Sequence, residues 1–320
     1  LNARQDGFRW VSSDGRRRAW RILAEPLAGG RGAVIAFAID MTEAEETRDT
    51  LRRHVEAHDE TLNHLADAVA IFGPSKRLAF HNTAFQTLSR DWLQASMQRQ
   101  YVYNFDWMGR PIIQYPQDMV AMQELVWRVR PDLIIETGIA HGGSLVLSAS
   151  LLALLDMSDA IEAGTTLDPR ASRRKVLGVD IDIRAHNRAA IEAHPMASRI
   201  AMIQGSAVAP EVVQQVHAFA QGYQRVLVCL DSMHTHDHVL GELNAYAPLV
   251  TPGSYCVVFD TFVEDMPPKF FADRPWDVGN NPKTAVHQWL AGHAEFEIDA
   301  EMEQRLQVTV APHGFLRRKG

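Results

Sequence analysis

From Tyr101 onward, short apolar runs alternate with segments whose apolar positions recur every three or four residues. That is the pattern of strands alternating with amphipathic helices. Leu133–Thr137, 176–180, Ile200–Gln204, 225–231 and 255–260 read as strands. The segments 119–129, 144–155, 184–194, 209–220 and 238–247 read as the helices between them. Arg130-Pro131 ends the first helix and Pro195 stops the third, because proline cannot continue the backbone hydrogen-bond ladder. The stretch 296–315 reads as one or two antiparallel strands. Strands this continuously apolar are buried on both faces, so the pattern predicts an α/β fold, a doubly wound parallel sheet.

The first hundred residues follow another pattern. Segments 18–27 and 32–40 read as two strands joined by a Gly-Gly-Arg-Gly turn, and 42–65 as a polar helix capped by Thr42 with Glu45 as its capping-box partner. Segments 68–72 and 77–81 read as a hairpin turning at Gly73-Pro74-Ser75-Lys76, and Asn82 caps a helix beginning near Thr83. The polar stretch 89–100 reads as a linker, which divides the chain into 1–98 and 99–320. GRRRAWRILAEPLAGGRGAVIAFAIDMTEAEE resembles the closing strands and exit helix of a PAS sensory domain. LADAVAIFGPSKRLAFHNTAF resembles the opening hairpin and first helix of another. The middle of that second domain is absent. The expectation is therefore a small α+β PAS-like segment whose halves dock as one permuted sheet with a helix between, the alternative being a poorly folding remnant. With the pocket-forming middle missing, no ligand is expected there.

Composition narrows the class. The 320 residues are 46% hydrophobic and 22% charged, with a formal net charge of −7. The chain is therefore globular, and a nucleic-acid partner is disfavoured. The basic clusters 16–18 and 170–175 read as solvated loops. The two cysteines, Cys229 and Cys256, lie inside apolar runs and read as core residues suited to a reducing cytoplasm. The most apolar stretch, 145–155, is too short to span a bilayer. The chain opens on Leu1 in mid-pattern and reads as a fragment or processed product. A homo-oligomeric state is left open.

The turn Glu136-Thr137-Gly138-Ile139-Ala140-His141-Gly142-Gly143-Ser144 connects a buried strand directly to a helix. Its glycines allow positive φ and close approach to a ligand, and the helix N-terminus offers unpaired N–H groups. Alone, such a turn serves NAD, a phosphate or simple chain reversal. It lacks the G-x-G-x-x-G spacing of dinucleotide folds and carries an acid two residues before its first glycine, as SAM-binding turns do. Asp180 closes the next strand, where a carboxylate accepts both ribose hydroxyls or caps a helix. Gln204-Gly205-Ser206 follows the third strand, beside an adenine or as an ordinary turn. Candidate cofactor contacts are thus Glu136, Gly138, His141, Gly142, Gly143, Ser144, Asp180, Gln204 and Ser206.

Asp231 and Asp260 end neighbouring strands and point two carboxylates at one crevice, where like charges repel unless a cation lies between them. Oxygen donors favour a hard ion such as Mg²⁺. His234, three residues beyond Asp231, is the candidate general base. His234, His236 and His238 together fit no recognised zinc spacing, and the last two read as helix-start residues. The loop 262–283, rich in Pro, Trp and Asp, reads as a lid or a packed surface loop, with Asn280, Asn281 and Lys283 at its return.

Four separated motifs, YNFDWMGRPIIQYPQDM, IIETGIAHGGS, LDSMHTHDHVLGEL and GNNPKTAV, resemble the cephalosporin hydroxylase / rhamnosyl O-methyltransferase family over about residues 101–320. The resemblance implies a Rossmann-like SAM methyltransferase fold, a divalent metal on Asp231 and Asp260, a base at His234, and transfer to a hydroxyl of a sugar, glycolipid or related small molecule. Phe259 departs from it, standing where one branch of the family carries a further metal-binding acid. The rival readings are a PAS-type signalling protein with a degenerate methyltransferase domain, and a metal-dependent hydroxylase built on two histidines and a carboxylate.

Overall fold

The computed structural model describes residues 5–13, 16–26, 34–43, 45–46, 61–74, 76 and 78–320. The chain divides into two compact units, Leu1–Gln86 and Thr87–Gly320.

In the first unit, β1 (Gln5–Ser13), β2 (Arg16–Pro26) and β3 (Val34–Asp40) form an antiparallel sheet, and β4 (Ala70–Phe72) pairs with β5 (Leu78–His81) in a second one. The sequence pattern missed β1, whose residues Gln5-Asp6-Gly7 and Ser12-Ser13 carry little strand signal; full pairing with β2 holds it. The expected single permuted sheet is not formed among the described residues: the three strands β1–β3 and the β4–β5 hairpin make separate sheets. The Gly-Gly-Arg-Gly turn and most of the helix expected over 42–65 lie outside the described residues. Among the described residues Thr42 makes no cap bond to the helix that follows it. Its amide and hydroxyl donate to the Asp40 carboxylate at 3.0 and 2.5 Å, which holds that carboxyl below the usual range. Asn82 does cap: its Oδ1 accepts from the Phe85 amide at 3.0 Å.

Helix α1 (Thr83–Gln98) replaces the linker expected over 89–100. Its polar surface hides a short inward stripe, in which Leu93 and Ser96 are buried and Ser96 hydrogen-bonds the Tyr115 hydroxyl at 2.7 Å. A hairpin follows, β6 (Phe105–Trp107) and β7 (Arg110–Ile112), then α2 (Pro116–Val129). From there strands and helices alternate: β8 (Leu133–Thr137), α3 (Gly143–Ala163), β9 (Lys175–Asp180), α4 (Ala185–Glu192), β10 (Ile200–Gln204), α5 (Pro210–Ala220), β11 (Val226–Leu230), α6 (His236–Tyr246), β12 (Tyr255–Val258) and α7 (Pro282–Leu290). The C-terminal stretch is not simply strand. β13 (Phe296–Ile298) and β14 (Phe315–Arg318) are separated by α8 (Ala300–Leu306), which Asp299 caps through the Met302 amide. Seven residues carry too short a period for that helix to read from sequence.

The sheet order is β10-β9-β8-β11-β12-β14-β13; the first five strands are parallel and β14 runs antiparallel to both neighbours. This is the Rossmann-like, doubly wound arrangement. Strand alternation divides the core into two layers. Ile134, Leu227, Cys229, Tyr255 and Val257 face the layer under α2 and α3, whereas Leu133, Ile135, Val228 and Cys256 face the layer under α5, α6 and α7. The two cysteines therefore lie on opposite faces and are free and buried. Helix α3, long and apolar enough by composition to cross a membrane, is half buried, with Leu145, Leu152 and Leu155 in the first layer. Arg174 and Arg199 pair with Asp156 at its far end, so the basic run 170–175 is partly an internal ion-pair network. Between β8 and β11 the strand order reverses, and the carboxyl ends there frame the crevice in which open α/β sheets take ligands.

Candidate functional site

Strand β8 delivers the glycine turn to that crevice. The Gly138 amide donates to the Val179 carbonyl at 2.8 Å, and the Asp231 amide donates to the Thr137 carbonyl at 3.0 Å. The starts of three loops are thereby stitched together. Gly138 takes φ +88°, and a Cβ built there would lie 2.0 Å from the Asp231 carbonyl oxygen, so only glycine fits. Asp180 holds the turn from the other side. Its Oδ2 accepts from the amides of Ile139 and Ala140 at 2.7 and 3.3 Å, and its Oδ1 from Asp182 at 3.0 Å. Two residues not singled out in the sequence secure the turn's carbonyls. Arg110 donates to His141 O and to Asn187 Oδ1, and Asn187 donates to Ala140 O. The GRP signal in the hairpin motif was visible; its reach across 31 residues was not.

Above this floor lies a cavity of about 540 Å³. Of the candidate cofactor contacts, Gly138, His141, Gly143, Ser144, Asp180 and Ser206 line it; Glu136, Gly142 and Gln204 do not. Glu136 is buried behind the turn, accepting from the Ser144 hydroxyl. Gly142 packs against Ile191. Gln204 points outward and accepts from Arg188 at 3.3 Å.

Burial pushes the Glu136 carboxyl from 4.5 up to about 7, with Ser144 opposing the shift. A folded-state pKa raised above the unfolded one gives stability that is complete below about pH 4.5 and is lost as pH rises through 7. Glu136→Gln removes that loss. Its advantage in chemical denaturation is expected to be near zero at pH 4 and roughly 3 kcal/mol at pH 8. A pH-independent difference would show that Glu136 ionises freely.

Asp231, His234 and Asp260 converge at the other end of the cavity, offering ligand atoms within 4.8 Å of one another. His234 Nε2 lies 3.0 Å from Asp260 Oδ2. Burial, then the charge of Asp260, raises the Asp231 carboxyl well above the usual range. Asp260 sits just past β12 at φ 56°, a left-handed conformation that a non-glycine residue adopts at a cost of order 1 kcal/mol or more. Two crowded carboxylates, one strained, with an imidazole beside them, are a donor set suited to a divalent cation. Phe259 is buried in the first core layer and turned from the crevice by strand alternation, so it adds no donor.

Two further residues meet this cluster unannounced by sequence. Trp276, from the 262–283 loop, sets its ring edge-on to His234, with centroids 4.6 Å apart at 79°. Gln114, buried after the hairpin, donates to Asp231 Oδ2 at 3.4 Å. The loop covers the cavity with Phe262, Val263, Phe271, Arg274 and Trp276. Its return is a fixed hinge: Asn281 caps α7 in a capping box with Thr284, and Lys283 pairs with Asp265 at 2.6 Å. Asn280, Asn281 and Lys283 therefore brace the loop without lining the cavity.

His236 and His238 stand outside this cluster. His236 bonds Thr284 and Gln288 of α7 at 2.8 and 3.0 Å, and His238 bonds Ser232 at 3.0 Å. A three-histidine zinc site and a facial triad of two histidines and a carboxylate are thus not assembled among the described residues.

A family profile described as Rhamnosyl O-methyltransferase/CmcI matches residues 99–319. The rhamnosyl O-methyltransferase of Mycobacterium leprae is 29% identical over 217 residues, covering 67% of this chain and 82% of that protein. The sensor protein DivL of Caulobacter vibrioides is 35% identical over 219 residues, covering 58% of this chain. The chain spans about a quarter of that protein's length, 27%. Among solved structures, a CmcI chain with Mg and SAM aligns at 17% identity and TM-score 0.45, covering 68% of this chain and 78% of that one.

Proposed function

Because the chain belongs to the rhamnosyl O-methyltransferase/CmcI family, we propose that this SAM-dependent O-methyltransferase moves the SAM methyl group to a hydroxyl of a sugar, glycolipid or related small molecule, assisted by a divalent cation, Mg²⁺. One observation carries the reading: the glycine turn with Asp180, and the Asp231–His234–Asp260 cluster, open into the same cavity.

In this reading the turn Gly138–Ser144 and Asp180 would hold SAM. Asp231 and Asp260 would hold the cation, which would supply Lewis acidity to the acceptor hydroxyl. His234 takes the hydroxyl proton at Nδ1, since its Nε2–H faces Asp260, and that carboxylate stabilises the imidazolium formed. Trp276 keeps the ring in this orientation. The remaining contribution is positioning: the cavity walls would orient the acceptor, and the loop over it would exclude water. The two buried free thiols suit a reducing, cytoplasmic setting.

Calorimetry with SAM tests the cofactor part. Binding is expected, and Asp180→Ala weakens it at least about tenfold, as loss of a charged hydrogen-bond acceptor would. A wild-type chain that fails to bind SAM overturns the reading, and methyl transfer undiminished by EDTA removes the cation from it. The likeness to a sensor protein favours a second reading, a PAS-type signalling or interaction protein with a degenerate methyltransferase domain. It predicts SAM binding without turnover on any hydroxyl acceptor.

A further inference from the structure

Behind the cavity wall lies a polar cluster that the methyl-transfer chemistry leaves unused. Ser232 Oγ donates to Glu242 Oε1 at 2.7 Å. His238 Nε2 lies 3.0 Å from that same Oγ and 3.6 Å from Glu242 Oε1. Glu242 is fully buried, and its Oε2 has no partner among the described residues. Among the described residues Ser232 is thus its one hydrogen-bond donor, with His238 beside it, and a buried carboxyl oxygen demands such a donor. The hydroxyl proton is already committed to Glu242, so Oγ accepts from His238, which fixes the Nε2–H tautomer. Nδ1 remains an acceptor with no hydrogen bond to the described residues, on a ring that lines the cavity.

The position of that acceptor is set by packing. Tyr246 of α6 donates to the Ala207 carbonyl, and a Cβ on Gly241 would stand 3.0 Å from Val208. Helix α6 thus lies against the loop that leaves β10, and His238, one turn earlier on α6, shares the cavity wall with Ser206 and Ala207. A nucleoside running outward from the glycine turn past Asp180 at the end of β9 comes next to the end of β10.

We propose that His238 reads the adenine of SAM, its Nδ1 accepting a hydrogen bond from the 6-amino group. The assignment rests on the SAM reading of the cavity. Ser232 and Glu242 act through His238 as positioning residues that hold the tautomer.

The test compares two ligands by calorimetry on the full chain: S-adenosyl-L-homocysteine, and its deaminated analogue S-inosyl-L-homocysteine, in which a carbonyl oxygen replaces the amino group. Facing Nδ1, that oxygen sets acceptor against acceptor. The wild type is expected to prefer the adenosyl ligand about tenfold or more, the equivalent of one good hydrogen bond. His238→Phe, which keeps a ring but no acceptor, is expected to bring the two affinities within about twofold by weakening the adenosyl ligand and relieving the inosyl one. Ser232→Ala, which releases the tautomer and keeps the ring, is expected to reduce the preference several-fold, and it carries the test should His238→Phe not fold. A preference that survives either substitution, or a parallel loss of both ligands, overturns the assignment while SAM binding stands. If neither ligand binds the wild type, the SAM reading itself fails.

Discussion

Asp231→Asn is expected to lower kcat for methyl transfer about a thousandfold and to abolish the response to divalent cations. The carboxyl lies at the end of β11, its backbone pinned by the bond from its amide to Thr137, so the substitution changes charge without moving the chain. Asparagine fills the same space and can keep a carbonyl oxygen where the carboxylate stood, but it carries no charge. Cation affinity at a site with no third acid, since Phe259 is buried in the core, depends on both remaining carboxylates. A thousandfold is about 4 kcal/mol, within what Lewis-acid assistance supplies to a developing alkoxide. A second readout has the opposite sign. Burial and the Asp260 charge oppose ionisation of Asp231, so without cation the wild type loses stability as pH rises above the ordinary carboxyl range. Asp231→Asn should therefore melt higher than the wild type in EDTA at pH 8, and that advantage should vanish on acidification. Adding Mg²⁺ should raise the melting point of the wild type only. A variant with full activity and an unchanged cation response would remove Asp231 from the site.

What was legible in the sequence, and what was not, follows from the range of the interactions. The parallel strands read clearly because both of their faces are buried: Ile134 and Ile135 face opposite layers, yet both must be apolar. Acids at strand ends were equally plain, since a carboxylate after an apolar run has to reach the crevice. The two terminal antiparallel strands were read, but α8 between them was lost because a helix of seven residues carries almost no periodicity. The start of α1 at Thr83 was read, but its second half read as a linker because its stability comes from contacts such as Ser96 with Tyr115, and its own surface is polar. Gln204 stands at the right strand end, yet the last residue of a strand alternates between faces, and here it turns to Arg188. Trp276 and Gln114 reach the site from loops and Arg110 from a hairpin strand, across 31 to 117 residues, and local pattern says which side of an element is buried, not which segment returns to cover it. The His238–Ser232–Glu242 chain had a partial signal, since His238 and Glu242 are one helical turn apart, but only burial of the glutamate gives that spacing meaning.

The glycine turn and the acid cluster are parts of one backbone junction, and Gly138→Ala is expected to break both. The φ of +88° already disfavours alanine, and the added Cβ would meet the Asp231 carbonyl oxygen at 2.0 Å and its carbon at 2.6 Å. Neither atom belongs to a side chain that can rotate away. The Asp231 amide is held by Thr137, and Gly138 itself by Val179, so relief requires separating the ends of β8 and β11. A loss of at least about 3 kcal/mol in chemical denaturation is expected, with SAM and Mg²⁺ affinity falling together, because the shift moves the turn and Asp231 at once. Gly164→Ala supplies the contrast. It has a similar left-handed conformation, φ +62°, but nothing lies within 4 Å of its built Cβ, so it should lose only about 1 kcal/mol of backbone strain and no ligand affinity. Equal losses at the two positions would mean that backbone conformation alone makes Gly138 necessary. A larger loss at Gly138, accompanied by both ligands, would mean that the close approach of two strand ends makes the cofactor turn and the cation cluster one site.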